Sequence, residues 1–235
     1  MKYSEIRKYR GTEGIWVDYL FWIFSPFVTK LMLKLNVIPN QVTIFMIISG
    51  IIGAFIFSLP NIFLKLIGII FIYLWYLLDC SDGEIARIKK KYSLFGKELD
   101  YLAHFINHPL FVISFAVSII QLGRYEFKNV IIIFLIILVT NIWVRVVFIL
   151  EHILNIKKYN KNNSIKKHTV KKKLIKIWAN TVFLPNFTFI FPITYIIDFY
   201  YNTSISYYIS VWLLISTITF SIAKIIHILK KTVCI

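Results

Sequence analysis

The sequence predicts an all-α integral membrane protein, with six transmembrane helices that follow an N-terminal amphipathic helix at the membrane interface. Hydrophobic residues make up 58% of the chain and aromatic residues 17%, a composition far from that of a soluble domain. The apolar residues also fall into runs of about 20, the length that a helix needs to cross a bilayer. Such runs must be helical, because backbone groups in lipid need partners within their own segment.

Residues 1–36 form the first of two predicted regions. The stretch from 15 to 36 is rich in aromatic residues but carries Asp18, Lys30 and Lys34, and Pro26 interrupts it. These charges disfavour a span, so we expect an interfacial helix along the cytosolic leaflet. No small-residue cleavage site follows a short apolar core, so a cleavable signal is not expected.

Residues 37–235 form the second predicted region, a six-helix membrane domain. Its predicted spans are residues 42–59, 62–82, 98–121, 129–150, 178–198 and 205–228. Lys and Arg crowd the N-terminus, the C-terminus and two loops, at 87–97 and 157–176. Because basic loops stay on the cytosolic side, we expect a multi-pass protein of the cell membrane with both termini in the cytosol.

The net charge of +16 comes largely from these same clusters. Strong basicity is typical of nucleic-acid-binding proteins, but here the lysines flank membrane spans. Topology and attraction to anionic lipid account for them in that position. Membrane lipid is therefore an expected partner and nucleic acid is not.

Acidic residues concentrate at one predicted edge of the membrane. Asp79 and Asp82 are three residues apart, and Asp100 and His104 are four apart, so each pair shares a helix face. A helical hairpin would bring the two pairs together. Carboxylates are costly at a bilayer unless they are paired or bind a cation, and an oxygen-rich set suits Mg²⁺ or Mn²⁺ better than Zn²⁺. The spacing therefore predicts a divalent metal site and chemistry on phosphates, on the cytosolic side.

This stretch resembles the signature of the CDP-alcohol phosphotransferase family (CDP-alcohol phosphatidyltransferases), Asp-x2-Asp-Gly-x2-Ala-Arg-x8-Gly-x3-Asp-x3-Asp. The chain matches it at every position except the last, with Asp79, Asp82, Gly83, Ala86, Arg87, Gly96 and Asp100, and it has His104 in place of the final Asp. Residues 37–43, Val-Ile-Pro-Asn-Gln-Val-Thr, are also similar to the start of the family's first membrane helix.

The resemblance implies a six-helix bundle that forms a homodimer and binds two Mg²⁺ or Mn²⁺ ions. The implied metal ligands are Asp79, Asp82, Asp100 and His104. The implied nucleotide-binding residues are Asp82, Gly83, Ala86, Arg87 and Gly96. The implied reaction transfers a substituted phosphate from a CDP-alcohol lipid, of the CDP-diacylglycerol type, to a small hydroxyl acceptor, with release of CMP in phospholipid biosynthesis.

The histidine at the last signature position leaves alternatives open. In the family this residue is taken to be the base that deprotonates the acceptor hydroxyl, and imidazole can do the same. His104 is therefore the predicted catalytic residue, but it could also mark a different acceptor or a degenerate site. The alternative function is a catalytically inactive membrane protein that keeps the fold and binds nucleotide or lipid. A transporter is less favoured, because the acidic residues gather at one edge.

Four further residues have open or minor roles. Arg145 lies within the fourth span, where it could bind the phosphate of an acceptor or snorkel to the interface. His108 follows His104 by one helical turn and either supports the site or continues a polar stripe. Glu84 and Glu98 flank the signature carboxylates and are expected to be solvated partners of nearby Lys and Arg.

Overall fold

The structure, a computed structural model, describes residues 2–11, 16–91, 93, 95–153 and 184–233. Within these ranges every regular element is a helix, which confirms the all-α class. The helices are α1 (Tyr3–Ile6), a 3-10 turn (Arg7–Tyr9), α2 (Trp16–Lys34), α3 (Pro39–Ser58), α4 (Ile62–Lys89), α5 (Gly96–Gln121), α6 (Phe127–Ile153), α7 (Leu184–Tyr201) and α8 (Ile205–Val233).

Five segments of these helices are long and apolar enough to cross a membrane: Pro39–Ser58, Ile62–Lys89, Gly96–Gln121, Phe127–Val147 and Ile205–Ala223. The chain is therefore an integral membrane protein. The remaining predicted span, 178–198, begins outside the described residues, and its described part lies in α7. The count of six spans and the cytosolic orientation stay predictions, and the basic loop at 157–176 lies outside the described residues.

Helices α3, α4 and α5 pack closely because small residues lie where their backbones meet. A Cβ atom added to Gly68 would come within 2.6 Å of the backbone nitrogen of Phe57, and one added to Gly53 within 2.9 Å of that of Ile72. A glycine at such a contact allows the backbones of two membrane helices to approach each other closely. Large aromatic side chains fill the core beside them and are fully or almost fully buried, among them Phe57, Trp75, Phe111, Phe115, Phe191 and Tyr195.

The two halves of the signature, residues 79–87 and 96–104, lie on the two helices of the α4–α5 hairpin. The side chain of Asn61 caps α4 by accepting a hydrogen bond of 2.8 Å from the backbone nitrogen of Phe63. The helix continues past residue 82, where the span was predicted to end, and stops at Lys89. Lys90 then takes a left-handed conformation, with φ of 51°. Asp79 to Arg87 thus lie on one continuous helix, and Gly96 begins the next.

Helix α2 is held against α4 by buried hydrogen bonds to Glu84. The hydroxyl groups of Ser25 and Thr29 each donate to one carboxyl oxygen of Glu84, both at 2.6 Å. Glu84 is completely buried, so the expectation that it is solvated is wrong. Its partners lie 59 and 55 residues earlier in the chain, which is why its local sequence gave no sign of them. The interfacial position of α2 stays a prediction.

Candidate active site

Two carboxylates and an imidazole meet where α4 and α5 face each other. The Nε2 atom of His104 lies 3.3 Å from Oδ1 of Asp79 and 3.4 Å from Oδ1 of Asp100. One ligand atom from each of the three residues lies within 4.8 Å of the others. Two oxygens and one nitrogen at this separation can hold a divalent cation such as Mg²⁺ or Mn²⁺. The residues present therefore fit the metal that the sequence predicts.

Asp82, the fourth predicted ligand, lies outside that three-residue group. Its Oδ2 atom accepts a hydrogen bond of 2.8 Å from the hydroxyl of Thr43 on α3. Asp82 and Asp100 both line the cavity beside the group. A ligand role for Asp82, and with it a second metal ion, stays a prediction.

That cavity has a volume of about 410 Å³ and lies between the start of α3, the end of α4 and the start of α5. Its lining includes all but one of the predicted nucleotide-binding residues. It also includes three residues from α3, three residues between 91 and 97, and Asp100. The lining residues are Pro39, Asn40, Thr43, Asp82, Gly83, Ala86, Lys91, Ser93, Gly96, Lys97 and Asp100. Two carboxylates and two lysines in the same lining suit a cation-bound phosphate.

Two signature glycines keep space open in this region. A Cβ atom on Gly96 would lie 2.8 Å from the hydroxyl oxygen of Ser93, and one on Gly83 would lie 3.2 Å from Nη1 of Arg87. Arg87 itself is not among the residues that line the cavity. Its Nε atom donates a hydrogen bond to the backbone carbonyl of Tyr9, in the N-terminal segment. The structure thus brings the glycines to the cavity and ties the arginine to the segment before α2.

A chain of hydrogen bonds runs from the metal-binding group into the bundle. The Nδ1 atom of His104 lies 3.2 Å from Nε2 of His108. The Nη2 atom of Arg145 lies 2.7 Å from Nδ1 of His108, its nearer ring nitrogen. His108 is 1% exposed and also packs edge-on against Trp75, with 5.4 Å between ring centroids. The Arg145 side chain therefore points to His108 within the bundle, and His108 joins Arg145 to His104; a supporting role for His108 stays a prediction.

The direction of this chain follows from the donors available. A guanidinium group can only donate hydrogen bonds. Nη2 of Arg145 lies 2.7 Å from Nδ1 of His108 and 3.1 Å from Nε2, and the direction of the chain is set when the nearer nitrogen, Nδ1, accepts the bond. In a neutral imidazole the other nitrogen then carries the proton, and His108 donates to Nδ1 of His104. When His104 is neutral as well, its proton lies on Nε2, where it faces Asp79 and Asp100. In this pair of tautomers Nε2 has no lone pair, so a metal bond or proton uptake at Nε2 needs the opposite tautomers.

Sequence reasoning named the three residues that meet as a candidate metal group but missed part of the cavity wall. Asn40 and Thr43 belong to a segment that was interpreted only as the start of a helix. Their polar side chains were the only local signal that this segment could line the cavity. Lys91 and Lys97 belong to a loop interpreted as a determinant of topology. Their positions at the cavity depend on how three helices meet, which no local pattern contains.

The family model for CDP-alcohol phosphatidyltransferase matches residues 36–229 of the chain. The chain belongs to this family. The match spans both halves of the signature and all five candidate membrane spans. A CDP-alcohol phosphatidyltransferase transfers substituted phosphate groups in phospholipid synthesis, and the family generally depends on Mg²⁺ or Mn²⁺. No curated protein matches the chain by sequence.

Proposed function

We propose that this CDP-alcohol phosphatidyltransferase moves the phosphatidyl group of a CDP-diacylglycerol-type lipid to the hydroxyl of a small acceptor and releases CMP. The observation that carries the proposal is the meeting of Asp79, Asp100 and His104 beside a cavity lined by four of the five predicted nucleotide-binding residues. We also propose that this site faces the cytosol and that the protein works as a homodimer. These two points rest on the distribution of Lys and Arg and on the family.

The cavity accounts for donor binding. Gly83, Ala86 and Gly96 leave room for the nucleotide to approach the backbone, while Lys91 and Lys97 offer positive charge to its phosphates. Asp79, Asp82 and Asp100 would hold the divalent metal, and His104 would either join them through Nε2 or keep that nitrogen free to act as the base. When bound, the metal neutralises the diphosphate and stabilises the charge that develops as the bond between the two phosphates breaks.

Arg145 accounts for acceptor choice. Its guanidinium can bind a phosphate through two parallel hydrogen bonds, and it lies two hydrogen bonds away from His104. We therefore propose an acceptor that carries a phosphate as well as its reacting hydroxyl. Such a phosphate would draw Arg145 away from His108. The Nδ1 atom of His108, which lies nearest to Arg145, would then be free of that hydrogen bond.

This change would let the two histidines adopt the opposite tautomers. His104 then donates from Nδ1 to His108, and its Nε2 atom has a lone pair. Nε2 takes the proton of the acceptor hydroxyl while the acceptor oxygen bonds to the phosphorus nearer the lipid. The bond from that phosphorus to the bridging oxygen breaks, and CMP leaves. A metal bond from Nε2 needs the same tautomer, so either role of His104 requires Arg145 to move.

The test uses the purified full-length chain with CDP-diacylglycerol, Mg²⁺ or Mn²⁺, and paired acceptors: glycerol phosphate with glycerol, inositol phosphate with inositol, and serine alone. CMP and lipid product are both measured. We expect metal-dependent CMP release with a matching phospholipid product, and faster turnover of the phosphorylated member of a pair. No CMP release with any acceptor would contradict the enzymatic proposal and favour the inactive alternative. Equal turnover within the pairs would contradict the role of Arg145.

A further inference from the structure

A second cavity, about 650 Å³ in volume, lies between the N-terminal segment and the outer side of α2. Its lining residues are Ser4, Arg7, Lys8, Arg10, Gly11, Tyr19 and Trp22. None of them lines the cavity at the signature, so the two cavities are separate. A volume of this size is within the range of small-ligand sites.

The described residues that line the second cavity include three cations and no Asp or Glu. Among the described residues, no Asp or Glu forms an ion pair with Arg7, Lys8 or Arg10. Glu5 is close in sequence, but its carboxylate accepts a hydrogen bond of 2.8 Å from the backbone nitrogen of Lys2. Three cations around one cavity, with no carboxylate partner in the described part of the chain, create a potential that favours an anion.

The cations are carried by an anchored segment. The carbonyl of Tyr9, between Lys8 and Arg10, accepts the hydrogen bond from Arg87. The hydroxyl of Tyr3 donates to the carbonyl of Ile23 on α2. Gly11 lies against the ring of Trp22, where an added Cβ would come within 2.8 Å of Cζ2. The backbone that carries the charged residues is therefore held in place before any ligand arrives, which lowers the entropy that binding costs.

The surroundings of the cavity indicate which anion it meets. Tyr19 and Trp22 stack edge to face at 5.0 Å between ring centroids, and such amphipathic rings are typical of the membrane–water boundary. On the same helix Ile23 is 45% exposed and Phe27 is 61% exposed, as expected for a surface that faces lipid chains. Arg side chains next to such a surface are well suited to bind lipid phosphate groups.

We propose that this cavity binds the headgroup phosphate of an anionic phospholipid, at a site separate from the catalytic one. Arg7 and Arg10 hold the phosphate, Lys8 adds charge, and the acyl chains lie along the exposed apolar face of α2. The proposal does not depend on the transferase reaction. It assigns the N-terminal segment a binding role that the signature does not contain.

The test measures lipid binding to the purified full-length chain in uncharged detergent micelles, with native mass spectrometry as the readout. The probes are phosphatidylglycerol and phosphatidylcholine of equal chain length. The test variant is Arg7→Gln/Arg10→Gln. The control is Lys30→Gln/Lys34→Gln, which removes the same charge from exposed positions of α2. Lipid that binds at the catalytic cavity is common to all three proteins, so the difference between them isolates the second cavity.

We expect the parent to prefer phosphatidylglycerol, and the test variant to bind it roughly tenfold or more weakly, because hydrogen bonds to charged groups are lost. The control should stay within about threefold of the parent, since isolated exposed charges contribute little. Equal losses in both variants would overturn the proposal, as would equal binding of the two lipids by the parent. Displacement of the lipid by inorganic phosphate at equal concentration would overturn the assignment to a lipid headgroup.

Discussion

Replacement of Glu84 by leucine should loosen the attachment of α2 to the membrane domain. Glu84 is completely buried and accepts hydrogen bonds of 2.6 Å from Ser25 and Thr29. Leucine has a similar volume but accepts no hydrogen bond, so the substitution removes both bonds without opening a large cavity.

The magnitude follows from the two lost bonds. A hydrogen bond contributes about 1 kcal/mol between neutral groups and about 1.5–3 kcal/mol with a charged partner, which gives about 2–6 kcal/mol for the pair. Each freed hydroxyl can turn to the backbone carbonyl one helical turn earlier. We therefore expect a loss in the lower half of this range, about 2–4 kcal/mol.

Hydrogen exchange of backbone amides measures this loss directly, because it reports local opening free energies. A loss of about 2 kcal/mol should make α2 exchange roughly 30-fold faster than in the parent, with α3 much less affected. Glu98→Leu is the matched control, since Glu98 is exposed at the start of α5, and it should leave α2 unchanged. Unchanged exchange of α2 in the Glu84→Leu protein would refute the reasoning. So would an equally large effect of Glu84→Leu in a chain that already carries Ser25→Ala and Thr29→Val.

Three further substitutions test the packing and the site. Gly50→Ala would place a methyl group within 2.5 Å of the side chain of Asn107, so we expect a loss of about 1–3 kcal/mol in unfolding free energy. Adding Asn107→Ala should recover much of it, and parent-like stability of Gly50→Ala alone would contradict the packing. Arg145→Ala should raise KM for a phosphorylated acceptor roughly tenfold or more and leave the donor KM nearly unchanged in steady-state kinetics; equal effects on both substrates would indicate a structural role. His104→Ala should slow CMP release roughly 100-fold or more whereas His104→Asp should retain activity, and a fully active His104→Ala protein would remove His104 from the mechanism.

The membrane spans could be predicted because hydropathy is a local property of the chain. The predicted and observed helices begin and end within a few residues of one another for α3, α5 and α6. The largest difference is the end of α4, which runs on to Lys89. A helix does not stop where its apolar run stops, because polar residues can continue it into the headgroup region and beyond.

The meeting of Asp79, Asp100 and His104 was predictable for a similar reason. Helical spacing indicated that Asp79 and Asp82 share a face, and that Asp100 and His104 do. The short connection between the two helices indicated that these faces meet. Contacts between distant segments could not be predicted in this way. The bond from Arg87 to the carbonyl of Tyr9 spans 78 residues, and nothing near Arg87 in the sequence indicates it.

His108 and Arg145 show the same limit at the site itself. Each could be assigned a candidate role from its position in a span, but their contact, across 37 residues, became apparent only when α5 and α6 were seen to pack. That contact determines the direction of the hydrogen-bond chain to His104. The sequence therefore indicated which residues belong to the site, while the structure indicated how they depend on one another.

The central claim is that the signature residues on α4 and α5 form a single metal-dependent site for a CDP-alcohol. The most direct test is the rate of CMP release from CDP-diacylglycerol across a Mg²⁺ titration, for the parent, Asp79→Asn and Asp100→Asn. Glu98→Gln serves as the control, because it removes an exposed carboxylate two residues before Asp100. The account predicts metal-dependent release by the parent and the control, and background rates for both aspartate variants at every Mg²⁺ concentration. Near-normal release by either aspartate variant would contradict it.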